Sequence, residues 1–175
     1  MLATLASPIE DFNARAARER WSTVCDERLA FDSPKLAQLA DIWRNARGER
    51  EMPAREDLTA RVLGRHLRNL TFVERETHGQ VRRYRFRLFG SGLSEYIGDC
   101  TGRYVDEVVP EAHLAGWLAS YDLPIAIGRP LRYVSRFRPA HLEHIAAETF
   151  AAPVSGRTDE AWGLLVSVIY SPVVS

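Results

Sequence analysis

Apolar positions follow a helical period through residues 1–50 and an alternating period from residue 70 onwards. Ser7-Pro8-Ile9-Glu10 combines a capping-box pattern with proline at the first helical position. Leu5, Ile9, Phe12 and Ala16 recur at helical spacing around it. A second start, Asp32-Ser33-Pro34, leads into Leu36, Leu39, Ala40 and Trp43, which fall at i, i+3, i+4 and i+7. The helix predicted from Ser33 to Arg47 therefore carries one apolar stripe, and Gly48 ends it. Residues 49–57 read as a charged linker around Pro53, followed by a short helix over Asp57 to His66. Residues 1–50 are thus expected to be an N-terminal helical extension and residues 51–175 the main domain.

From Leu70 the spacing predicts strands over 70–76 and 81–89, joined as a hairpin by Thr77-His78-Gly79-Gln80. In the second strand Tyr84, Phe86 and Leu88 alternate with Arg83, Arg85 and Arg87. Glycines at 90, 92, 98 and 102 break the next stretch into short helical pieces. Glu111 to Ile127 reads as a helix with Leu114, Trp117, Leu118 and Tyr121 on one face, kinked or ended by Pro124. Three more strands are predicted over 131–138, 144–154 and 162–170. The last places Trp162, Leu164, Val166 and Val168 on one face and Leu165 and Ile169 on the other. A strand apolar on both faces belongs in the middle of a sheet that is covered on both sides. The strands bearing Arg83/Arg85/Arg87 and Arg132/Arg136/Arg138 are expected at the edges, where charge blocks edge pairing. Helices first, then strands in runs, imply an α+β fold with a five-stranded antiparallel sheet.

Composition narrows this reading only slightly. With 175 residues, 46% of them apolar and 26% charged, the chain is an ordinary globular domain. Basic and acidic residues balance at 23 each, so no global field points to nucleic acid or a membrane surface. Lys35 is the only lysine, and the remaining basic residues are arginines. Cys25 and Cys100 do not form a disulfide framework, and a reducing cytoplasm is the expected location. The N-terminal residues lack the basic region of a signal peptide, and no apolar run reaches membrane-spanning length.

Arg87-Leu88-Phe89-Gly90-Ser91-Gly92-Leu93 and Ile97-Gly98-Asp99-Cys100-Thr101-Gly102-Arg103, together with Trp43 and Pro53-Ala54-Arg55-Glu56-Asp57 before them, stand in a telling order. In this order the chain resembles a PAS domain over roughly residues 35–170, and more narrowly the single-domain PAS-like family common in alphaproteobacteria. The resemblance implies a five-stranded sheet with short helices enclosing a pocket on one face. It implies sensing or scaffolding rather than catalysis, and dimers paired through N-terminal helices. The first two helices offer two apolar stripes, of which one would cover the sheet and the other a second copy of the chain.

The chemistry-bearing residues are few. Light-sensing PAS relatives carry an adduct-forming cysteine near the position of Cys100, but Asp99 and Thr101-Gly102-Arg103-Tyr104 do not match their flavin motif. Haem-binding relatives take a histidine from the long helix, where His113 stands alone. Neither cofactor is expected. His141-Leu142-Glu143-His144 lacks a third placed ligand, so no metal site is predicted. The arginine rows read as solvated faces. Phe86, Tyr96, Trp117, Tyr121, Tyr133 and Phe137 are expected to converge on one side of the sheet. They are either plain core or an apolar pocket whose tyrosine hydroxyls orient a ligand. The function read from these residues is a non-catalytic sensory or regulatory module that binds a small apolar or aromatic ligand or a signalling partner protein. The alternatives are a small isomerase or hydrolase with His66 or Asp99 as base, and a scaffold without ligand.

Overall fold

The computed structural model describes residues 7–136, 145–156 and 161–172. The first helix, α1 (Pro8–Arg18), starts as predicted: Glu10 donates its backbone N–H to Ser7 Oγ at 3.2 Å, and Ser7 N donates back to the Glu10 carboxylate at 2.7 Å. A short strand, β1 (Thr23–Asp26), follows, and then α2 (Pro34–Arg47). The linker holds a single 3-10 turn at Arg55–Asp57. The short helix predicted after it divides into α3 (Ala60–Leu63) and a 3-10 stretch over Gly64–Asn69. The hairpin is β2 (Leu70–His78) and β3 (Val81–Phe89). After it come α4 (Ser91–Ile97), α5 (Val105–Val108), α6 (Glu111–Ile127), β4 (Leu131–Arg136), β5 (Ile145–Ser155) and β6 (Ala161–Pro172). Pro124 does not end α6, which runs on to Ile127 and stops at Gly128 with φ of 68°.

The six strands form one antiparallel sheet in the order β1-β4-β5-β6-β2-β3. The last strand is central, as its two-faced apolar pattern requires. Leu164 and Val166 enter the core on one face, and Leu165 enters the core on the other. Trp162 differs from its predicted side. It packs with the α2 core, next to an irregularity in register at Val154/Ser155.

The sheet has one strand more than the five predicted. β1 pairs with β4, Cys25 opposite Tyr133, so β4 is not an edge despite its arginines. The residues Thr23–Asp26 are too few to show alternation, and their outer edge is satisfied by a side chain. Asn13 of α1 accepts from Cys25 N at 2.8 Å and donates to Cys25 O at 2.9 Å. The true edges are β1 and β3, so only the Arg83/Arg85/Arg87 row lies on an edge strand. Arg132 instead sits under the α2 entry, contacting Glu148 at 2.6 Å, Asp26 at 3.1 Å and Asp32 at 3.1 Å. Arg138 lies outside the described residues.

Each face of the sheet has its own helical cover. On one, α2 packs Leu36, Leu39, Ala40 and Trp43 against Phe72, Phe150, Ala152 and Leu165. On the other, α1 and α6 pack Ile9, Phe12, Ala16 and Tyr121 against Val73, Tyr84, Phe86, Tyr133 and Leu164. Among the described residues both N-terminal stripes pack on the sheet, Ile9 and Phe12 on one face and the α2 stripe on the other, while Leu5 lies outside the described residues. The boundary expected at residue 50 does not separate the sheet, because β1 belongs to it. Among the described residues no helix is long and apolar enough to cross a membrane.

Candidate functional site

The aromatic residues singled out from the sequence separate into an interior group and an outer group. Phe86 and Tyr133 are 1% and 2% exposed and fill the α1/α6 core. Phe86 meets Phe89 edge-on at 5.1 Å, and Tyr133 meets Phe12 at 5.5 Å. The Tyr133 hydroxyl donates to the Ser120 carbonyl at 2.9 Å, so it is already used. Tyr84, which the sequence reading assigned only to the strand face, joins this group. Its ring stands edge-on to Tyr121 at 5.4 Å, and its hydroxyl donates to Asp122. These residues are core, and the hydroxyls of Tyr84 and Tyr133 are both spent on protein acceptors.

The outer group lies where α4, α6 and the end of β6 meet. Tyr96 is 58% exposed and stacks at a tilt on Tyr170, with ring centres 4.3 Å apart. Trp117 is 38% exposed and stands edge-on to Tyr121 at 6.0 Å. Tyr121 belongs to the core beneath Trp117. Burial raises its hydroxyl well above the ordinary phenol value, and Tyr170 and Cys100 act on it in the same direction. That hydroxyl has no hydrogen-bond partner among the described residues, unlike those of Tyr84 and Tyr133. Tyr96 and Trp117 thus do not line an interior wall with Phe86 and Tyr133. They are exposed, Tyr96 stacked on Tyr170 and Trp117 standing on the buried Tyr121, with exposed Ile97 next to Tyr96 in the chain. Tyr170 was missed, although it continues the alternation of Leu164, Val166 and Val168. Phe137 and the His141–His144 run lie outside the described residues.

The remaining candidates have structural roles. Cys100 is fully buried, its Sγ 3.6 Å from the Gly98 carbonyl, and burial raises its thiol above the ordinary value. His113 is exposed in the first turn of α6. The carboxylate of Asp99 accepts from Thr101 N at 2.9 Å, which holds it below the ordinary carboxylate value and leaves it a turn cap rather than a base. His66 has no carboxylate against its ring among the described residues, and burial is the first cause that lowers its affinity for a proton. No group of three His, Cys, Asp or Glu side chains among the described residues could hold a metal ion.

The arginine row is internally paired. Arg83 contacts Asp106 at 2.9 Å and Glu107 at 3.3 Å, Arg85 contacts Glu76 at 3.1 Å, and Arg87 pairs with Glu74. Arg83 and Arg85 also lie over the Tyr104 ring. A row satisfied in this way does not need an acidic partner.

Two concavities lie away from these aromatic residues. One is an open depression beside β1, lined by Ile9, Val24, Asp26, Arg28 and Arg132 among others. The other is a small recess of about 90 Å³ between α2, the Gly64–Asn69 turn and β6.

Residues 31–107 match a family model described as a PAS domain. The matched stretch runs from just before α2 through α5 and includes the β2–β3 hairpin. The match, over less than half of the chain, supports a PAS-fold family, and with the antiparallel sheet and its helical flank the fold is α+β and PAS-like. A PAS-like sensory or regulatory module is the function class this match supports. Neither the curated proteins nor the solved structures searched yield a match to the chain.

Proposed function

We propose that this PAS-like module works without catalysis and recognises an apolar segment of a signalling partner protein at the exposed Tyr96, Ile97 and Trp117. The observation that carries the reading is the exposure of these three large side chains, at 58%, 49% and 38%, beside the ring pairs Tyr96–Tyr170 and Trp117–Tyr121. Exposed large apolar groups in one place are informative in a way that single ones are not. Tyr and Trp supply much contact area for little lost rotamer freedom and dominate binding hot spots. Small-molecule sites, by contrast, enclose most of their ligand. Here the interior tyrosines Tyr84 and Tyr133 are packed and hydrogen-bonded.

A second reading, a small aromatic or apolar molecule, is favoured by one observation, the Tyr121 hydroxyl that lacks a hydrogen-bond partner. A photo-crosslinking residue at position 96 of the full chain, expressed in its native host, separates the two. The partner reading expects one discrete crosslinked protein, lost in a second variant that adds Trp117→Ala. The small-molecule reading expects a noncovalent mass adduct on the purified chain in native mass spectrometry. A crosslinking pattern indifferent to Trp117→Ala, with no adduct, overturns this assignment.

A further inference from the structure

The recess between α2, the Gly64–Asn69 turn and β6 is lined by Lys35, Arg65, His66, Arg68, Asn69, Ser167 and Ile169. Its lining holds four basic side chains and no acidic one. Two of the four are partly committed at the rim: Arg65 donates to Gln38 at 2.6 Å, and Arg68 pairs with Glu95 of α4 at 2.5 Å. The other two are not. Lys35 makes no ion pair or hydrogen bond among the described residues. His66 is only 9% exposed, and neither ring nitrogen has a hydrogen-bond partner among those residues. Its ring nitrogens are not among the buried side-chain atoms left without a partner, so they keep contact with solvent at the recess and are open to a ligand.

The placement of Lys35 sharpens the point. It is the only lysine in the chain, and it stands in the first turn of α2, where the helix presents its positive end. That turn has no acidic residue, and Ser33 makes no side-chain cap. Glu148, whose strand neighbour is Ile169, is turned to the backbone N–H groups of Asp32 and Ser33 and to Arg132. Glu148 therefore caps the start of α2, and the charges that act on His66 are those of Arg65 and Lys35. Burial is the first cause that lowers its affinity for a proton, and Arg65 and Lys35 add to it.

We propose that this recess binds a small oxyanion of phosphate size, either free or as the end group of a larger molecule. Lys35 supplies the uncommitted charge, the His66 ring supplies a directional donor, and the Asn69 amide is the neutral polar group beside them. Ser167 Oγ is not available as a donor, because it already donates to the Asn69 carbonyl at 2.8 Å. A volume of about 90 Å³ admits one such group and excludes a nucleotide base. The bound anion gives His66 the partner it lacks, so binding tightens as His66 takes up a proton at lower pH.

The test is an NMR and calorimetric titration of the full chain with inorganic phosphate at pH 6 and pH 8, with O-phosphoserine as a second probe. Saturable binding that shifts the His66 ring signals, and that is tighter at pH 6, is expected. His66→Gln and Lys35→Ala should each weaken it about tenfold, the scale of one charge-assisted hydrogen bond, while Arg18→Ala on α1 leaves it unchanged. Tighter binding of O-phosphoserine assigns the anion to a larger molecule, and tighter binding of phosphate assigns it to the free ion. Should the variants fold poorly, acetylation of the wild-type chain still decides the matter. Phosphate should slow modification of Lys35 but not of the N-terminal amine. Absence of saturable binding at pH 6, or acetylation of Lys35 indifferent to phosphate, overturns the proposal.

Discussion

The indole N–H of Trp43 donates to the backbone carbonyl of Pro153 at 2.9 Å, tying α2 to the C-terminal end of β5. Trp43 is 4% exposed, and its ring packs in the core that α2 makes with the sheet. The bond gives the buried carbonyl a partner in addition to the ring's packing. Trp43→Phe should therefore cost about 1–3 kcal/mol, the penalty of orphaning a buried acceptor plus some lost contact. Trp43→Ala should cost about 3–5 kcal/mol. Urea denaturation of both variants measures the difference. Equal losses for Phe and Ala would show that the bond, and not the ring's volume, holds α2 in place.

Gly163 lies in the central strand with Val73 and Glu74 beside it. A Cβ at Gly163 would stand 2.0 Å from the Val73 carbonyl oxygen and 3.0 Å from Glu74 Cα. Both obstacles are backbone, so no side chain can rotate away. Gly163→Ala should destabilise at or beyond the roughly 1–3 kcal/mol typical of overpacking, and soluble yield should fall. Gly79 in the β2–β3 turn provides the contrast. Its Cβ would meet nothing within 4 Å, and the only obstacle is a φ of 64°. Gly79→Asn should be nearly neutral, because asparagine tolerates that backbone region. Similar melting temperatures for the two variants would refute this ranking.

Much of the scaffold was legible in local pattern. The capping box at Ser7, the stripe of Leu36, Leu39, Ala40 and Trp43, and the doubly apolar run of β6 each state their structure within a dozen residues. The β1 strand was not legible, because its outer edge is held by Asn13, a side chain twelve residues from Cys25. Nor could the β4 arginines show that they are interior to the sheet. Arg132 is tolerated there only because Asp26, Asp32 and Glu148 arrive from three separate segments. The candidate site was half legible. Spacing marked Tyr96 and Trp117 as apolar, but only the packing of α4 against the end of β6 separates them from core residues such as Phe86. The basic recess was invisible, since Lys35 and His66 lie 31 positions apart and neither belongs to a motif.

Several groups share one sign of pH dependence. Asp57 is held below the ordinary carboxylate value by Arg50, at 2.6 Å, and also by the backbone N–H of Ala54, at 2.9 Å. Asp26 is lowered first by the backbone N–H of Arg28, at 3.0 Å. For Glu76, burial acts upward, but hydrogen bonds from Tyr104 and His78 and the charges of Arg85 and Arg87 give a net lowering. His66 is lowered by its burial first. In each case the unfolded chain binds the proton more tightly, so stability rises with pH through the titration. The His66 contribution is fully present above its unfolded value of about 6.5 and is lost as pH falls through the lower folded value. The carboxylate contributions persist down to about pH 4 and are lost below it. Urea midpoints recorded from pH 8 to pH 2 in phosphate-free buffer should fall in two steps. His66→Gln should remove the upper step alone, and Asp57→Asn should reduce the lower one. A midpoint that rises as pH drops from 7 to 5 would contradict the assigned direction.

The two cysteines should be inert in the folded chain. Cys25 is 4% exposed in β1, with Ile9 and Phe12 of α1 in the same core, and burial with the neighbouring Asp26 pushes its thiol up to about 12. Cys100 is fully buried between Gly98 and Gly102, and burial raises its thiol too, with Arg103 only partly opposing. The thiolate is the reactive form, so a raised thiol and a closed surface act together against modification. Neither cysteine should react with a thiol-directed disulfide reagent at pH 8 in the native chain, and both should react once urea unfolds it. Between these limits the rate for each cysteine reports the opening of its own segment. Cys100 sits in a loop closed by the backbone bonds Phe86 N to Arg103 O and Gly102 N to Phe86 O, at 3.0 Å and 2.6 Å. That loop is anchored to the edge strand β3, while Cys25 is anchored to β4 and, through Asn13, to α1. An edge-anchored loop opens more readily than a strand paired on one side and capped on the other, so Cys100 should label before Cys25 at low urea. Mass mapping of single-label intermediates gives the order. Rapid labelling of Cys100 without denaturant would show that the loop is open in the native state and that its thiol is available for chemistry after all.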